Sequence, residues 1–278
     1  VWGYRIERLL GRGAMGAVYL AHEAQTGQAV ALKTIALVPE FAPALLTEVK
    51  TRFLREAEAV ARLRHAAIIQ TLAAGEDGHL AWMAMEFFPG RPLSDWTAPD
   101  QLLPLPQVLA LVRQIALALD HAHGRQVVHR DIKLANILYD PQTGRVKLTD
   151  FGVARLTDAS RTLTGMVLGT PAFMSPEQLA GEHIDGRSDL YSLGAVLFQL
   201  STGHLPFSGQ SLAELMQAIQ SQPVQDPRIL QPRLPAALAR IIMKALQKTV
   251  TERFQTGAQF ALALARQEAS QKRKDPHA

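Results

Sequence analysis

The chain has 278 residues, of which 47% are hydrophobic, and it carries a formal net charge of +4. Length and composition predict a globular protein with one large domain or two lobes, and they exclude an intrinsically disordered chain. The small net charge does not indicate a dedicated nucleic-acid binder, and the absence of cysteine excludes disulfides and thiolate metal sites and permits a reducing compartment.

The first predicted element is a hairpin around a glycine-rich turn. Residues 4–10 alternate toward Gly11, Gly13 and Gly16, and the apolar and β-branched residues 17–22 follow without a helix signal. A dinucleotide fingerprint requires a helix directly after the glycines, and a Walker loop requires Gly-Lys-Ser/Thr. The sequence fits neither of these, although glycines here would let the backbone approach a phosphate closely.

The third predicted strand runs from residue 29 to 35 and places Lys33 on one face with Ala31. A lone lysine in such a strand is commonly an edge or snorkelling residue. The next predicted element, a helix over residues 49–65, carries Glu56 inside its apolar stripe. Because a carboxylate on a buried face is costly unless it is paired, we predict a Lys33–Glu56 ion pair.

A breaker separates the two predicted lobes. The apolar strand 80–85 ends at Glu86-Phe87-Phe88-Pro89-Gly90, where Pro-Gly interrupts any regular element. We therefore predict an N-terminal lobe at residues 1–88, a C-terminal lobe at 89–266 and a polar tail at 267–278.

Three helices are predicted in the C-terminal lobe. The first covers residues 106–123 and is capped by Gly124, and the last covers residues 256–266. Between them, residues 188–202 are apolar nearly all round, which is typical of a buried core helix too short to cross a membrane. Asp189 lies near the start of this helix and needs hydrogen-bond donors.

The stretch His129-Arg130-Asp131-Ile132-Lys133-Leu134-Ala135-Asn136 precedes a predicted hairpin with strands at 137–140 and 145–149. Asp150-Phe151-Gly152 follows the hairpin. Because a hairpin brings its ends together, Asn136 and Asp150 are expected to lie side by side, with Asp131 and Lys133 nearby. These oxygen ligands and this ammonium group suit a magnesium–phosphate centre. A polar loop that merely flanks a hairpin is the alternative for any one residue.

His-Arg-Asp-x-Lys-x-x-Asn followed by Asp-Phe-Gly resembles the catalytic and metal loops of protein kinases. The glycine-rich turn, with Val18 two residues after its last glycine, resembles the kinase phosphate-covering loop. Ser175-Pro176-Glu177 stands where the family has Ala-Pro-Glu, a minor departure. Over residues 4–266 the chain resembles a serine/threonine protein kinase catalytic domain of the bacterial eukaryotic-like (Hanks-type) group.

The resemblance implies an α+β, two-lobed kinase fold with a small antiparallel sheet plus one helix, a larger helical lobe, and ATP between them. It implies Mg²⁺, or Mn²⁺ in its place, held by Asn136 and Asp150. Asp131 would accept the proton of the substrate hydroxyl, Lys133 would stabilise the transferring phosphoryl group, and Lys33 would hold phosphates with support from Glu56. The implied nucleotide contacts are Leu10, Gly11, Gly13, Gly16, Val18, Ala31, Lys33, Met85, Glu86, Phe88 and Leu138.

The resemblance also assigns residues around the long polar loop 153–174. Thr162 and Thr164 are the expected autophosphorylation sites, and Arg130 and Arg155 would bind the phosphate. Thr170 would hydrogen-bond near Asp131. Glu177 is expected to pair with Arg253, and Asp189 to anchor the backbone of the catalytic loop.

The expected partners are protein substrates with Ser or Thr, phosphothreonine-reading domains, and a second copy of the chain during autophosphorylation, but no nucleic acid. The expected location is the cytoplasm, with the alternative of a cytoplasmic domain in a longer, membrane-anchored protein. The chain begins at Val1 rather than Met, as a fragment would, and shows no signal-peptide pattern. A pseudokinase or ATP-binding scaffold is the alternative function, and a basic nucleic-acid-binding domain a weaker one.

Overall fold

The computed structural model describes residues 1–13, 16–36, 43–77, 80–98, 100–151 and 171–274. These residues form two compact units, Val1–Pro89 and a second that begins at Gly90. The first unit is an antiparallel sheet with a helix and the second is mainly helical, so the predicted α+β class is confirmed.

The N-terminal unit contains a five-stranded sheet in the order β1-β2-β3-β5-β4. Its strands are β1 (Tyr4–Gly13), β2 (Gly16–Glu23), β3 (Ala29–Ala36), β4 (Thr71–Asp77) and β5 (Leu80–Glu86), and α1 (Pro43–Ala61) packs against β4 and β5. The glycines therefore lie in a strand–loop–strand, as predicted. Helix α1 begins six residues before its predicted start, and β4 was not predicted because Leu72-Ala73-Ala74-Gly75 carries little strand preference.

One face of this sheet is closed by an aromatic cluster. Leu32, Val30 and Ala84 are almost fully buried there. The rings of Trp2 and Trp82 stack on this cluster with centroids 5.7 Å apart and planes 10° apart. The indole N–H of Trp2 donates to Asp77 Oδ2 over 2.9 Å, so the first residues of the chain are fixed to the sheet.

The C-terminal unit is built around α4, which is buried along most of its length. Its helices are α2 (Leu105–His123), α3 (Pro176–Ala180), α4 (Gly186–Thr202), α5 (Leu212–Ser221), α6 (Ala236–Ala245) and α7 (Gly257–Lys274). A small sheet joins β6 (Arg91–Pro92), β7 (Ile137–Asp140) and β8 (Arg145–Leu148). Helix α4 is the predicted core helix, and it ends at Gly203 with φ +77°. None of the described helices is long and apolar enough to cross a membrane.

The last helix runs past its predicted end at residue 266 and into the residues predicted as a polar tail, because α7 continues to Lys274. Gln267 is only 6% exposed, and the carboxylate of Glu268 lies 3.4 Å from Arg113 Nε on α2. The polar composition hid this continuation, since Gln267 keeps the helical spacing of the buried Ala261 and Leu264.

Candidate active site

The loop between α2 and β7 is held by alternate side chains. Ile132 and Leu134 are buried in the C-terminal unit, with exposures of 1% and 3%. Asp131 and Lys133 alternate with them and are about one-third exposed, at 38% and 32% of their side-chain areas. The apolar residues therefore fix the loop, and the two charged groups between them remain accessible.

The carboxylate of Asp131 is oriented by two neighbours. Its Oδ2 lies 2.8 Å from Lys133 Nζ and accepts a hydrogen bond of 2.9 Å from Asn136 Nδ2. The same Nδ2 donates to the backbone carbonyl of Asp131 over 2.8 Å. The structure thus brings together three of the predicted site residues within one short loop.

The hairpin β7–β8 joins Asn136 to the residue before Asp150. Thr149 N–H donates to the backbone carbonyl of Asn136 over 3.0 Å, and Ile137 pairs with Leu148. Asp150 has φ +66°, an uncommon value for a residue that is not glycine. The two ends of the hairpin therefore meet, as the sequence predicts.

The residues at this end of the hairpin fit a magnesium ion. Asn136 Nδ2 is engaged with Asp131, which leaves its Oδ1 as the oxygen for a cation. Across the described ranges, no group of three or more His, Cys, Asp and Glu side chains is arranged to hold a metal. Because Mg²⁺ needs only one or two protein oxygens when phosphates and water supply the rest, the Asn136–Asp150 pair suffices.

The buried ring of His129 links the catalytic loop to the end of the hairpin. Its Nδ1 accepts the N–H of Asp131 over 3.2 Å, so Nε2 carries the proton and donates to Thr149 O over 2.8 Å. The ring also packs against Phe151 with a centroid distance of 4.5 Å. No role was predicted for His129 itself. Its position directly before Arg130-Asp131 in the motif is the sequence feature that points to it.

Asp189 of α4 holds the backbone of the catalytic loop. Its Oδ1 accepts the N–H of Arg130 over 2.7 Å, and its Oδ2 accepts the N–H of His129 over 2.8 Å. His123 Nε2 lies 2.8 Å from the same Oδ2. The sequence did not single out His123. The ring of His123 packs against Gly186, where a Cβ would lie 2.5 Å from His123 Nδ1.

Glu177 and Arg253 form a fully buried ion pair. Arg253 NH1 and NH2 donate to the two carboxylate oxygens of Glu177 over 2.7 and 2.8 Å. Ser188 Oγ donates to the same carboxylate over 2.6 Å. Burial alone would raise the pKa of Glu177, but the hydrogen bonds from Arg253 and Ser188 prevail and hold this pKa below its ordinary value.

In the N-terminal unit the register places four predicted nucleotide contacts on one face. Val18 lies opposite Lys33, and Ala31 lies opposite Met85. Lys33 on β3 and Glu56 on α1 are both half-buried, and their ion pair remains a prediction.

The remaining nucleotide contacts differ in their surroundings. Met85 and Phe88 are buried, Leu10 is 37% exposed, Gly11 is exposed, and Leu138 on β7 is half-buried. The carboxylate of Glu86 accepts the N–H of Gln70 over 2.8 Å, and the N–H of Glu86 donates to the carbonyl of Gln70 over 2.9 Å.

The predicted glycines differ in their packing. A Cβ on Gly16 would lie 1.7 Å from the carbonyl oxygen of Thr34, whereas a Cβ on Gly11 would meet nothing within 4 Å. Gly16 is therefore required by the sheet itself. Gly13, the end of β1, pairs with Gly16.

Some predicted residues lie outside the described part of the chain. They are Arg155, Thr162, Thr164 and Thr170.

Residues 4–264 match the family model described as a protein kinase domain. Pkn1 of Myxococcus xanthus, a serine/threonine-protein kinase, is 39% identical over 94% of this chain and 38% of its own. PknJ of Mycobacterium tuberculosis, also a serine/threonine-protein kinase, is 40% identical over 95% of this chain and 45% of its own. The chain spans less than half the length of these curated relatives.

The chain is also similar to solved structures. The PknI kinase domain of Mycobacterium tuberculosis has a TM-score of 0.75 and is 32% identical, with 95% of this chain and 96% of that chain covered. Rad53 1-466 in complex with AMP-PNP has a TM-score of 0.77 and is 28% identical, with 93% of this chain and 64% of that chain covered.

Proposed function

Because this chain belongs to the protein kinase family, we propose that it transfers the γ-phosphoryl group of ATP to Ser and Thr hydroxyls of proteins. The observation that carries the proposal is the orientation of the Asp131 carboxylate by Lys133 and Asn136 at the hairpin that ends in Asp150. The family predicted from the motifs is confirmed, and the relatives named above are themselves serine/threonine kinases.

The chemistry assigned to the C-terminal unit follows from its contacts. Asp131 orients the substrate hydroxyl and accepts its proton, since its carboxylate is accessible and fixed from two sides. Lys133 places positive charge where charge develops on the transferring group. Asn136 Oδ1 and the carboxylate of Asp150 hold Mg²⁺, which neutralises phosphate charge when bound.

The N-terminal unit is assigned to the nucleotide. Lys33, on one face with Val18 and Ala31, binds phosphate oxygens, and Glu56 orients it. The backbone of Glu86 and Phe88 contacts the adenine edge. In this assignment the glycine turn contributes backbone N–H groups to the phosphates.

A pseudokinase that binds ATP without transfer is the second candidate. Pseudokinases typically lack the strand lysine, the catalytic aspartate or the metal aspartate. This chain retains all three residues, Lys33, Asp131 and Asp150. The retained residues favour transfer.

The proposal also covers how the kinase is regulated, what it contacts and where it works. We propose autophosphorylation within residues 153–174 by a transient encounter of two copies, and recognition of the product by phosphothreonine-reading domains. Mg²⁺ is the working ion, with Mn²⁺ as its substitute, and the domain works in the cytoplasm.

The deciding experiment incubates the purified chain with labelled ATP, Mg²⁺ and a generic basic protein. Label on serine and threonine of the acceptor is expected, and none with Asp131→Asn. ATP binding without transfer by the unaltered chain would favour the scaffold, and label on tyrosine alone would exclude the serine/threonine assignment. A parallel reaction with Mn²⁺ in place of Mg²⁺ tests whether Mn²⁺ also supports transfer.

A further inference from the structure

The peptide bond between Arg130 and Asp131 is held at both of its polar groups. Its carbonyl, from Arg130, accepts a hydrogen bond of 2.8 Å from Gln178 Nε2. Its N–H, from Asp131, donates to His129 Nδ1 over 3.2 Å. One step earlier, the N–H of Arg130 donates to Asp189. These contacts fix the plane of the peptide from which the Asp131 side chain projects.

The conformation that these contacts hold is an unfavourable one. Arg130 has φ +69°, in the left-handed region that side chains with a Cβ rarely adopt. Such a conformation persists only when its surroundings determine it. The hydrogen bond from Gln178 restrains the carbonyl side of Arg130, and it comes from α3, 48 residues further along the chain.

Gln178 has a second contact that explains why this position needs an amide. Its Oε1 accepts the N–H of Ser175 over 3.0 Å and lies 3.2 Å from Ser175 Oγ, while Ser175 Oγ accepts the N–H of Gln178 over 3.4 Å. This is a capping box, for which glutamate serves as well as glutamine. A carboxylate, however, has no N–H for the Arg130 carbonyl. The two backbone partners also fix which amide atom is oxygen and which is nitrogen.

The base of Gln178 is itself anchored. The preceding residue, Glu177, is bound by the buried guanidinium of Arg253 through both carboxylate oxygens. Helix α3 therefore presents the Gln178 amide from a fixed support, which a side chain needs if it is to hold another group in place.

We propose that Gln178 is a positioning residue for phosphoryl transfer, acting on Asp131 through the carbonyl of Arg130. It touches neither substrate nor nucleotide. Its loss removes the hydrogen bond at the carbonyl end of the Arg130–Asp131 peptide, so that this end can tilt and misplace the Asp131 carboxylate while nucleotide binding stays intact. This proposal rests on the assignment of Asp131 as the group that orients the substrate hydroxyl.

Two variants separate this role from simple helix capping. Gln178→Glu keeps the acceptor for Ser175, removes the donor to Arg130 and sets a carboxylate oxygen against the Arg130 carbonyl. Ser175→Ala removes the hydroxyl of the capping box and keeps the donor to Arg130. We expect Gln178→Glu to lower kcat about tenfold at unchanged KM for ATP and nearly unchanged Tm. Ser175→Ala is expected to lower Tm at unchanged kcat. Gln178→Met, which removes both contacts, is expected to do both.

Hydrogen exchange provides a readout that does not depend on catalysis. The amide of Asp131 is expected to exchange faster in Gln178→Glu than in the unaltered chain or in Ser175→Ala. The proposal would be overturned if Gln178→Glu changed neither kcat nor hydrogen exchange at the Asp131 amide. It would also be overturned if Gln178→Glu and Ser175→Ala both lost kcat in proportion to their loss of Tm. If the unaltered chain transfers no phosphate, the proposed function fails, and exchange at Asp131 still decides whether Gln178 holds the peptide.

Discussion

Asn136 binds Asp131 through a single amide nitrogen, which donates to the carboxylate over 2.9 Å and to the backbone carbonyl over 2.8 Å. One side chain thereby fixes both the direction of the carboxylate and the shape of the loop that carries it. Because the nitrogen is used twice, the amide cannot turn over without losing both contacts. Its oxygen is therefore permanently directed elsewhere, which is what a metal ligand requires.

Asp131→Asn is expected to keep ATP binding and to lower kcat at least about 100-fold, because an amide has the same shape but cannot accept a proton. Single-turnover transfer and titration with a fluorescent nucleotide measure the two effects. Asp140→Asn, at the last residue of β7, whose carboxylate accepts hydrogen bonds from Gln142 and Thr143 of the turn, is the matched control and should be fully active. Transfer at the unaltered rate by Asp131→Asn would remove Asp131 from its assigned role.

Lys33→Met is expected to lower kcat/KM for ATP at least about 100-fold, because it removes a positive charge from the proposed phosphate site. It should also loosen α1, which carries Glu56, as measured by hydrogen exchange along that helix. Lys244→Met on α6 is the control for losing a surface ammonium group. A nucleotide-bound structure with Lys33 in solvent and Glu56 bound elsewhere would contradict the pairing.

Glu177→Gln is expected to lower the free energy of unfolding by about 3–5 kcal/mol, because it leaves the guanidinium of Arg253 buried without a carboxylate. The exposed pair Asp226–Arg228 supplies the control, since Asp226→Asn should leave Tm nearly unchanged. Thermal and denaturant unfolding measure both variants. Equal stability of Glu177→Gln and the unaltered chain would show that the pair contributes nothing.

The same pair predicts a pH dependence. Folding lowers the pKa of Glu177, so its contribution to stability is present above the ordinary glutamate pKa of about 4.3 and is lost as the pH falls through the lower, folded-state value. The stability difference between the unaltered chain and Glu177→Gln should thus be largest at neutral pH and shrink below about pH 4. A difference that is constant down to the acid transition would refute this linkage.

Gly16→Ala is expected to destabilise the N-terminal unit, because its new Cβ would lie 1.7 Å from the backbone oxygen of Thr34. Gly11→Ala has open space at its Cβ and should leave Tm unchanged. Comparing the two separates the packing role of a glycine from any role at phosphate. Equal Tm for both variants would show that β2 and β3 can move apart at no cost.

Phosphorylation of Thr162 or Thr164 is expected in protein purified from an active preparation and absent from Asp131→Asn. A phosphate there adds nearly two negative charges and three acceptor oxygens, which suit the planar guanidinium groups of Arg130 and Arg155.

Mass spectrometry of the two preparations locates the modification, with Thr157 and Ser160 as the neighbouring hydroxyls. The double variant Thr162→Ala, Thr164→Ala should then be less active toward an added substrate. Full activity of the double variant, or an active protein without phosphate in this loop, would exclude the switch.

Contacts within short stretches were predictable from the sequence, and contacts between distant stretches mostly were not. The meeting of Asn136 with the end of β8 follows from a turn signal and two short strands. Gln178 contacts a residue 48 positions away through a backbone carbonyl, which leaves no mark in the motif around Arg130. His123 was missed for the same reason, since its partner Asp189 lies 66 positions away.

The prediction of the Glu177–Arg253 pair had a different basis. Nothing in the local pattern joins two residues 76 positions apart, and only the resemblance to a family connected them. The end of α7 is the opposite case: the helical spacing of its buried residues continues to Gln267, whereas the polar composition after residue 266 favours a tail.

The stacked indoles of Trp2 and Trp82 provide a spectroscopic signal without any label. Two rings stacked 5.7 Å apart report on the packing of this unit, because their fluorescence changes when unfolding separates them and exposes them to water. The chain has three tryptophans, and the third, Trp96, lies in the other unit, edge-on to Tyr139 at 5.3 Å. The fluorescence of a Trp96→Phe variant therefore follows the melting of the N-terminal unit, while the fluorescence of a Trp2→Phe, Trp82→Phe variant follows the other unit.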